Sequence, residues 1–394
     1  MKPDILGLVE QIYNDQLDWR RHLHRHPELS GEESNTTVYI RELLEKFGLK
    51  IRRLKMPTGV LAELKGKHPG PIIAVRSDID ALPVFERTGL PFASAIEGCM
   101  HACGHDIHMA VVLGVAAVMV GLREHLHGTV RFLFQPAEEM PPGGAVEMIN
   151  EGALDNVSML LGLHNDPRTD VGKISLRDGP TMAAVTDFDL TVTGRTGHVA
   201  RPHECIDALP VACEIVESLQ KIVSREIDPL STAAIGFGQI EGGRARNTVA
   251  EEIRLCGTAR TLDPKLVEKI PKLIKRTVEA IARAHSAKVR MDIVGRYPIL
   301  INDARINTLL KRNYAELFSV KDVETTELVL GGEDFARYLE HVPGAMFRLG
   351  IRNKKIGADK PWHSSRFMAD ERSLFYGTAL ICATLLDTLG QENK

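Results

Sequence analysis

The chain has 394 residues, 49 basic against 52 acidic side chains and a formal net charge of −3. That length suits two domains at roughly 100–200 residues each, and the charge balance lacks the basic surplus that nucleic acid or an anionic membrane surface attracts. The longest apolar run, 110–122, is broken by Gly114 and is shorter than the roughly 20 residues that cross a bilayer.

Apolar residues Ile5, Leu8, Val9, Ile12, Leu17 and Leu23 recur at helical spacing and predict a helix over 3–26, stopped by Pro27; a second follows over 32–47, ended by Gly48. Strand-like runs come next at 61–64, 72–75, 130–134 and 158–163, separated by helical stretches at 106–123 and 145–151. This alternation predicts an α/β domain with a largely parallel sheet flanked by helices. After Gly179-Pro180 the order changes to strand 184–193, helix 206–224, strands 231–241 and 248–260, helix 264–285 and strand 288–294. That βαββαβ order is ferredoxin-like. Helix 303–318, the Gly331-Gly332 turn, strand 345–349 and helix 372–389 then resume α/β character. The expected organisation is one domain of 1–180 and 298–394 with a ferredoxin-like domain, 181–297, inserted into it. Residues 1–10 lack the basic-then-apolar order of a secretory signal, and six scattered cysteines make no disulfide framework. A cytoplasmic location is the expectation.

Three motifs stand at the ends of predicted strands, where open α/β sheets bind ligands. Strand 72–75 leads into Arg76-Ser-Asp-Ile-Asp80, strand 130–134 into Gln135-Pro-Ala-Glu-Glu139, and strand 158–163 into His164-Asn-Asp166. A fourth motif, Met100-His-Ala-Cys-Gly-His-Asp-Ile-His108, precedes an apolar run. Cys103 and His105 are two apart and do not share a helix face, so they meet at one centre only from a loop or a helix entry, for which Gly104 supplies the freedom. A thiolate, imidazoles and carboxylates suit a borderline transition metal: zinc most often, with manganese, cobalt or nickel as alternatives. Taken alone, Cys103 also reads as a small buried hydrophobe and His101 as a packed side chain. Glu138 and Glu139 project in different directions, so one can ligate metal while the other takes a proton from water, whose pKa a metal lowers from about 15.7 towards about 7. In isolation such a pair is better read as a solvated surface dyad, but a strand end and Gln135-Pro136 immediately precede it, an unusual place for a random surface pair. His22, His24 and His26 alternate along the first helix and read as structural, spread around it; His125, His127, His285 and His341 read as surface positions. Arg201, Arg244, Arg246 and Arg260 are candidate partners for a substrate carboxylate.

The strings Arg21-His-Leu-His-Arg-His-Pro-Glu-Leu-Ser30, Ser77-Asp-Ile-Asp-Ala-Leu-Pro83, His101-Ala-Cys-Gly-His-Asp-Ile-His108, Phe134-Gln-Pro-Ala-Glu-Glu139, Gly162-Leu-His164, Gly197-His-Val-Ala-Arg-Pro-His203, Asn247-Thr-Val249 and Gly331-Gly-Glu-Asp-Phe335 together resemble the amidohydrolase branch of the dinuclear metallopeptidase/aminoacylase superfamily. That branch includes hippurate hydrolase, plant auxin-conjugate hydrolases and bacterial N-acetyl-amino-acid deacetylases. The resemblance implies a catalytic domain with two divalent metal ions per subunit (zinc, manganese, nickel or cobalt) and an inserted lid domain through which the chain forms a homodimer. By motif, Cys103, His105, Glu139, His164 and His363 resemble the metal ligands, Glu138 the general base, and Asp78 the acid that orients a ligating imidazole, with Asp80 close enough to compete. His198 resembles a lid histidine that stabilises the oxyanion and Asn247 a lid group that binds substrate; Arg260 and Gly332 complete the expected substrate contacts. Arg76 stands where the wider superfamily has a metal-binding His, Asn165-Asp166 where an aromatic is frequent, and Ser364 where a Pro often follows the C-terminal His. The implied activity is hydrolysis of the amide of a small N-acetyl or aromatic-acyl amino acid, with neither nucleic acid nor membrane as partner. The rival readings are a dipeptidase or aminopeptidase of the same superfamily, a thiol hydrolase using Cys103, and a catalytically dead metal-binding dimeric scaffold.

Overall fold

The computed structural model of the chain describes residues 3–390. Helix α1 (Ile5–Arg25) starts at Asp4, whose carboxylate accepts from the Gly7 N–H at 3.1 Å, and stops before Pro27, which cannot continue the helical ladder. After α2 (Ser34–Lys46) come strands β1 (Lys50–Arg52), β2 (Val60–Lys65) and β3 (His68–Asp78), helix α3 (His105–Gly121), β4 (His127–Gln135), α4 (Gly144–Asn150), β5 (Val157–Asp170) and β6 (Ile174–Leu176). Short strand β7 (Gly179–Met182) leads into β8 (Ala184–Thr193), α5 (Ala208–Arg225), β9 (Ala233–Gly242), β10 (Glu252–Thr261), α6 (Pro264–Ala284) and β11 (Lys288–Tyr297). Beyond β12 (Leu300–Asn302) the chain closes with α7 (Ala304–Leu317), β13 (Val323–Thr325), α8 (Phe335–Leu339), β14 (Gly344–Arg352) and α9 (Ser373–Leu389).

Two compact units result. One runs to Gly179 and resumes at Ile301–Glu327 and again from Asp334; the other is Pro180–Leu300 with Leu328–Glu333. The first is built on a mixed sheet in the order β1-β2-β4-β3-β5-β14-β6-β13. Its middle strands β4, β3, β5 and β14 are parallel neighbours, covered on both faces and accordingly rich in uninterrupted apolar residues. Antiparallel pairs β1–β2 and β2–β4 finish one edge. Helix α3 is buried without a break from His105 to Ala116, which explains why its sequence is apolar all round rather than amphipathic. It packs with α1 and α9. Gln16 of α1 crosses that apolar layer, its Nε2 donating to Ala110 O (3.0 Å) and Thr378 Oγ1 (2.6 Å). Gly114 makes the approach possible, since a Cβ there would lie 2.3 Å from Gln16 Nε2.

In the second unit, β11-β8-β10-β9 form an antiparallel sheet. Phe188, Leu190 and Val192 of β8 pack with Ile215 and Leu219 of α5 and Ile274 and Val278 of α6 in a core of their own. Asp207, whose side chain accepts from Leu209 N at 3.0 Å, caps α5 and starts it later than the apolar spacing suggests. Among the described residues no helix is long and apolar enough to cross a membrane.

Two expectations need correction. The motifs beginning at Arg76 and His164 do not lie past their strands, because β3 extends to Asp78 and β5 to Asp170. His164 and Asn165 sit inside the sheet, opposite Arg348 and Leu349 of β14; that parallel partner continues the ladder through polar residues that local propensity would leave in a loop. Nor do the alternating histidines of α1 simply spread apart. His24 is buried, whereas His22 and His26, four residues apart, share a face with ring centroids at 4.6 Å.

Candidate metal centre

The carboxyl ends of β3 and β4 bring four acids together. Beyond β3, Asp80 accepts three donors: Oδ2 takes Ser30 Oγ–H (2.6 Å) and the Glu139 N–H (2.9 Å), and Oδ1 lies 3.2 Å from His105 Nδ1. Beyond β4, the turn carrying Glu138 and Glu139 is held by Ala137 in the left-handed region, φ +53°, with its N–H donated to Glu33 Oε1 at 2.8 Å. Such a conformation costs a non-glycine residue roughly 1–3 kcal/mol and persists only where the surroundings over-determine it.

Loop 100–104 delivers Cys103 and ends at Gly104, φ +81°, from which α3 starts with His105. A Cβ on Gly104 would lie 2.4 Å from Asn165 Nδ2, so the position needs glycine both for its dihedral and for space. His105 Nδ1 donates to the Asp80 carbonyl at 2.8 Å, leaving Nε2 as a buried atom without a hydrogen bond. His164 Nδ1 donates to Asn165 O (2.8 Å), and its Nε2 faces Cys103 Sγ at 3.7 Å. His363 arrives on a left-handed residue of its own, φ +63°, fastened by its N–H to Ala102 O (2.9 Å), with Nε2 3.3 Å from Glu139 Oε1. The donor atoms form overlapping groups, each within 4.8 Å: Cys103, His105 and His164; Cys103, Glu139 and His363; His105, Glu138 and Glu139. All five residues expected as ligands are members, and Cys103 is common to the first two groups.

The electrostatics are those of a cluster built around a cation. Burial pushes the Cys103 thiol well above its usual range, and Glu139 and Glu138 push it further. Burial opposes protonation of His105, yet the carboxylates of Asp78, Asp80 and Glu139 outweigh it and raise that imidazole to about 10. His164 is held far below the usual histidine range, by burial first and the Arg348 charge second. Glu139 Oε1, like His105 Nε2, is buried without a hydrogen bond. Orphaned ligand atoms, imidazoles whose far nitrogens are fixed by hydrogen bonds, and carboxylates in excess of local cations are what a divalent metal requires of its protein. The residues fit it.

Asp78 and Asp80 divide their work in a way the sequence left open. The carboxylate behind His105 Nδ1 belongs to Asp80. Asp78 Oδ1 instead holds His108 Nδ1 at 2.6 Å, its Oδ2 takes Arg76 Nη1 at 2.6 Å, and it stands 3.7 Å from His105 Nε2. Arg76 also donates to Gln135 Oε1 (2.9 Å) and Asp334 Oδ1 (2.8 Å), a buried hub behind the site. Three positioning residues went unassigned in the sequence: His108, Asn165 and Trp362. The Asn165 N–H donates to His108 Nε2 (2.9 Å), its Nδ2 to Cys103 O (2.6 Å), and its Oδ1 accepts from Trp362 Nε1 (3.0 Å). The only available signal was Asn165 itself, standing where an aromatic is frequent.

The remaining candidates lie in the second unit. His198 is exposed and bridges to Thr248, its Nδ1 accepting from Ala200 N at 3.1 Å, while Val199 N donates to the Asn247 carbonyl at 3.2 Å. These loops are neighbours within that unit. Arg260 Nη1 donates to Leu330 O (2.7 Å), and Gly332 packs so closely that a Cβ would lie 2.4 Å from the Tyr297 ring. Arg201 is engaged by Glu204 at 2.9 Å.

Comparison with known proteins agrees with this chemistry. Residues 74–387 match the model of peptidase family M20/M25/M40. The chain is 40% identical over 404 aligned positions to an N-acetyl-L-cysteine deacetylase of Bacillus subtilis, covering 99% of this chain and 94% of that one. It is 37% identical over 382 positions to thermostable carboxypeptidase 1 of Saccharolobus solfataricus, covering 94% and 96%. The crystal structure of the Bacillus subtilis YxeP protein, described as a dinuclear metal-binding peptidase, superposes with a TM-score of 0.84 at 34% identity over 96% of this chain and 98% of that one.

Proposed function

The chain belongs to peptidase family M20/M25/M40, and from that membership we propose that it is a metal-dependent amidohydrolase that cleaves small N-acyl amino acids into a carboxylate and a free amino acid. The observation that carries the reading is the overlap of donor groups on Cys103 with Glu138 beside them. Cys103, His105, Glu139, His164 and His363 would hold two divalent ions, which supply Lewis acidity to the scissile carbonyl and lower the pKa of water. Glu138 takes the proton of the attacking water and delivers it to the departing amine nitrogen. Asp80 fixes the His105 tautomer, and Asp78 holds His108, through which Asn165 positions the Cys103 loop. His198 supplies a donor to the oxyanion, and Asn247, Arg260 and Gly332 contact the substrate. The ferredoxin-like domain, 181–297, acts as lid and dimerisation domain of a cytoplasmic homodimer.

The carboxypeptidase relative favours a second reading that differs only in the acyl side, since the C-terminal residue of any peptide is itself an N-acyl amino acid with a free carboxylate. A panel of N-acetyl and N-benzoyl amino acids against di- and tripeptides, run before and after chelation and metal restoration, separates them. Turnover of the N-acyl panel that is lost on chelation and regained with metal is expected; activity that survives chelation and dies on thiol alkylation would replace this mechanism with a Cys103 nucleophile. A native mass equal to one 43.5 kDa chain would reject the homodimer.

A further inference from the structure

We propose that Asp334, at the head of α8, is a positioning residue for Glu138: its carboxylate clasps both ends of the loop that carries that side chain. The inference rests on the role of Glu138 as base proposed above. Loop 136–143 leaves β4 at Gln135 and enters α4 at Gly144. Asp334 Oδ2 accepts from both sides of it, from Gln135 Nε2 at 2.7 Å and from the Ala145 N–H at 3.1 Å. Asp334 Oδ1 accepts from Arg76 Nη2 at 2.8 Å. The far side of the Gln135 amide is held as well, its Oε1 accepting from Arg76 Nε at 2.9 Å and the Tyr338 hydroxyl at 3.1 Å. Asp334, Arg76 and Gln135 are fully buried, so water does not compete for these bonds. An aspartate at a helix head ordinarily accepts from its own helix. Here the carboxylate caps nothing in α8 and is spent on the loop instead.

The loop closes on itself at the same place. The Gly144 N–H donates to Ala137 O at 3.1 Å and the Gly143 N–H to Met140 O at 3.0 Å. Gly143 takes φ +87°, and a Cβ there would lie 2.3 Å from Asp334 Oδ2, so glycine lets loop and carboxylate meet. An oxygen of Glu138 and one of Asp334 come within 4.8 Å of each other, which sets the clasp beside the base it aligns. Every hydrogen-bond partner named for Asp334 is a donor, so a carboxylate is needed. Asparagine would turn its NH2 either on Arg76 or on both loop ends. The stake is alignment, since a misplacement of about 1 Å can cost about 10²-fold in rate.

Steady-state kinetics of the full chain at saturating metal test the proposal, with the N-acyl amino acid turned over fastest in the panel above as substrate. The variants are Asp334→Asn and Gly143→Ala, the second crowding the same carboxylate from the loop side while leaving Arg76 its partner. Each is measured alone and combined with Glu138→Gln. Either substitution alone should lower kcat by about 10–100-fold with KM unchanged. Neither should add a loss in the Glu138→Gln chain, because a base that is absent cannot be misplaced. A loss that multiplies with that of Glu138→Gln, or that falls on KM alone, overturns the proposal. Hydrogen exchange read by mass spectrometry is independent of turnover. Segment 136–145 should exchange about 10–100-fold faster in the variants, the scale of a hydrogen bond to a charged group, while β5 and α9 keep their rates. Unchanged exchange of that segment in a folded variant overturns the clasp, and acceleration spread equally over β5 and α9 makes Asp334 merely structural and overturns it too. Normal turnover by Glu138→Gln would instead remove the base assignment, and exchange of 136–145 would still decide the clasp.

Discussion

Replacing Asp80 by Asn probes the one side chain that orders two prospective ligands at once. Its Oδ1 is 3.2 Å from His105 Nδ1 and its Oδ2 receives the Glu139 N–H at 2.9 Å, all in a side chain that is 1% exposed. Asparagine matches the shape but offers one acceptor oxygen instead of two. If its NH2 turns towards His105, the imidazole must carry its proton on Nε2 to avoid opposed donors, and the lone pair leaves the cluster. If the NH2 turns towards Glu139, a buried backbone donor loses its partner, at about 1–3 kcal/mol. The Asp80 carbonyl still accepts from His105 Nδ1 at 2.8 Å, so the site is weakened rather than abolished. Loss of a carboxylate behind a ligating histidine typically costs 10–100-fold in metal affinity, about 1.4–2.8 kcal/mol. Competition against graded chelators with metal analysis should place Asp80→Asn in that range, while kcat at saturating metal falls less than the affinity. An affinity within about twofold of the unsubstituted chain would refute this account of what Asp80 does.

Glu138→Gln should keep its metal and lose about 10²–10⁴-fold in kcat, whereas Glu139→Ala should lose metal; normal turnover by Glu138→Gln would remove it as the base. Gly104→Ala forces a side chain into φ +81° against Asn165 and should cost about 1–2 kcal/mol from the dihedral alone, read by urea denaturation together with weakened metal binding; an unchanged midpoint would contradict the packing described. For His24, burial opposes the charged form, but Asp106 and Glu86 prevail and raise its pKa. The charged pairing therefore stabilises the fold fully below the unfolded pKa of about 6.5 and is lost as pH rises through the raised folded value. His24→Gln should accordingly destabilise more at about pH 6 than at about pH 9, measured by thermal melting; a difference of the opposite sign would show that His24 folds neutral.

The sequence was legible wherever a signal is local. Strands β3, β4 and β5 announce themselves as apolar runs, and Cys103, His105, Glu138, Glu139 and His164 stand in motifs beside them. His363, between Trp362 and Ser364, carries no local signal and was reached only through the resemblance. The choice between Asp78 and Asp80 was not legible for a physical reason. Residues two apart on a strand share a face, and only the path of the chain where β3 ends decides which reaches His105. The full length of β5 was hidden because its partner β14 lies far away in sequence, and pairing at that distance leaves no mark on local composition. His108, Asn165 and Trp362 were missed because their work is to hold other side chains, a role that exists only once the chain has folded.

Strand β14 has a consequence for how the protein is made. Residues Gly344–Arg352 slot between β5 and β6, two strands that leave the ribosome some 170 residues earlier. Throughout that interval the edge of β5 is an apolar row of unpaired backbone groups, the kind of edge that recruits other chains. Pro180–Leu300, which is continuous, is free to fold while the gap stands open. The nascent chain therefore carries its greatest aggregation hazard late in translation, and chaperone dependence should ease once the stretch containing β14 and His363 has emerged.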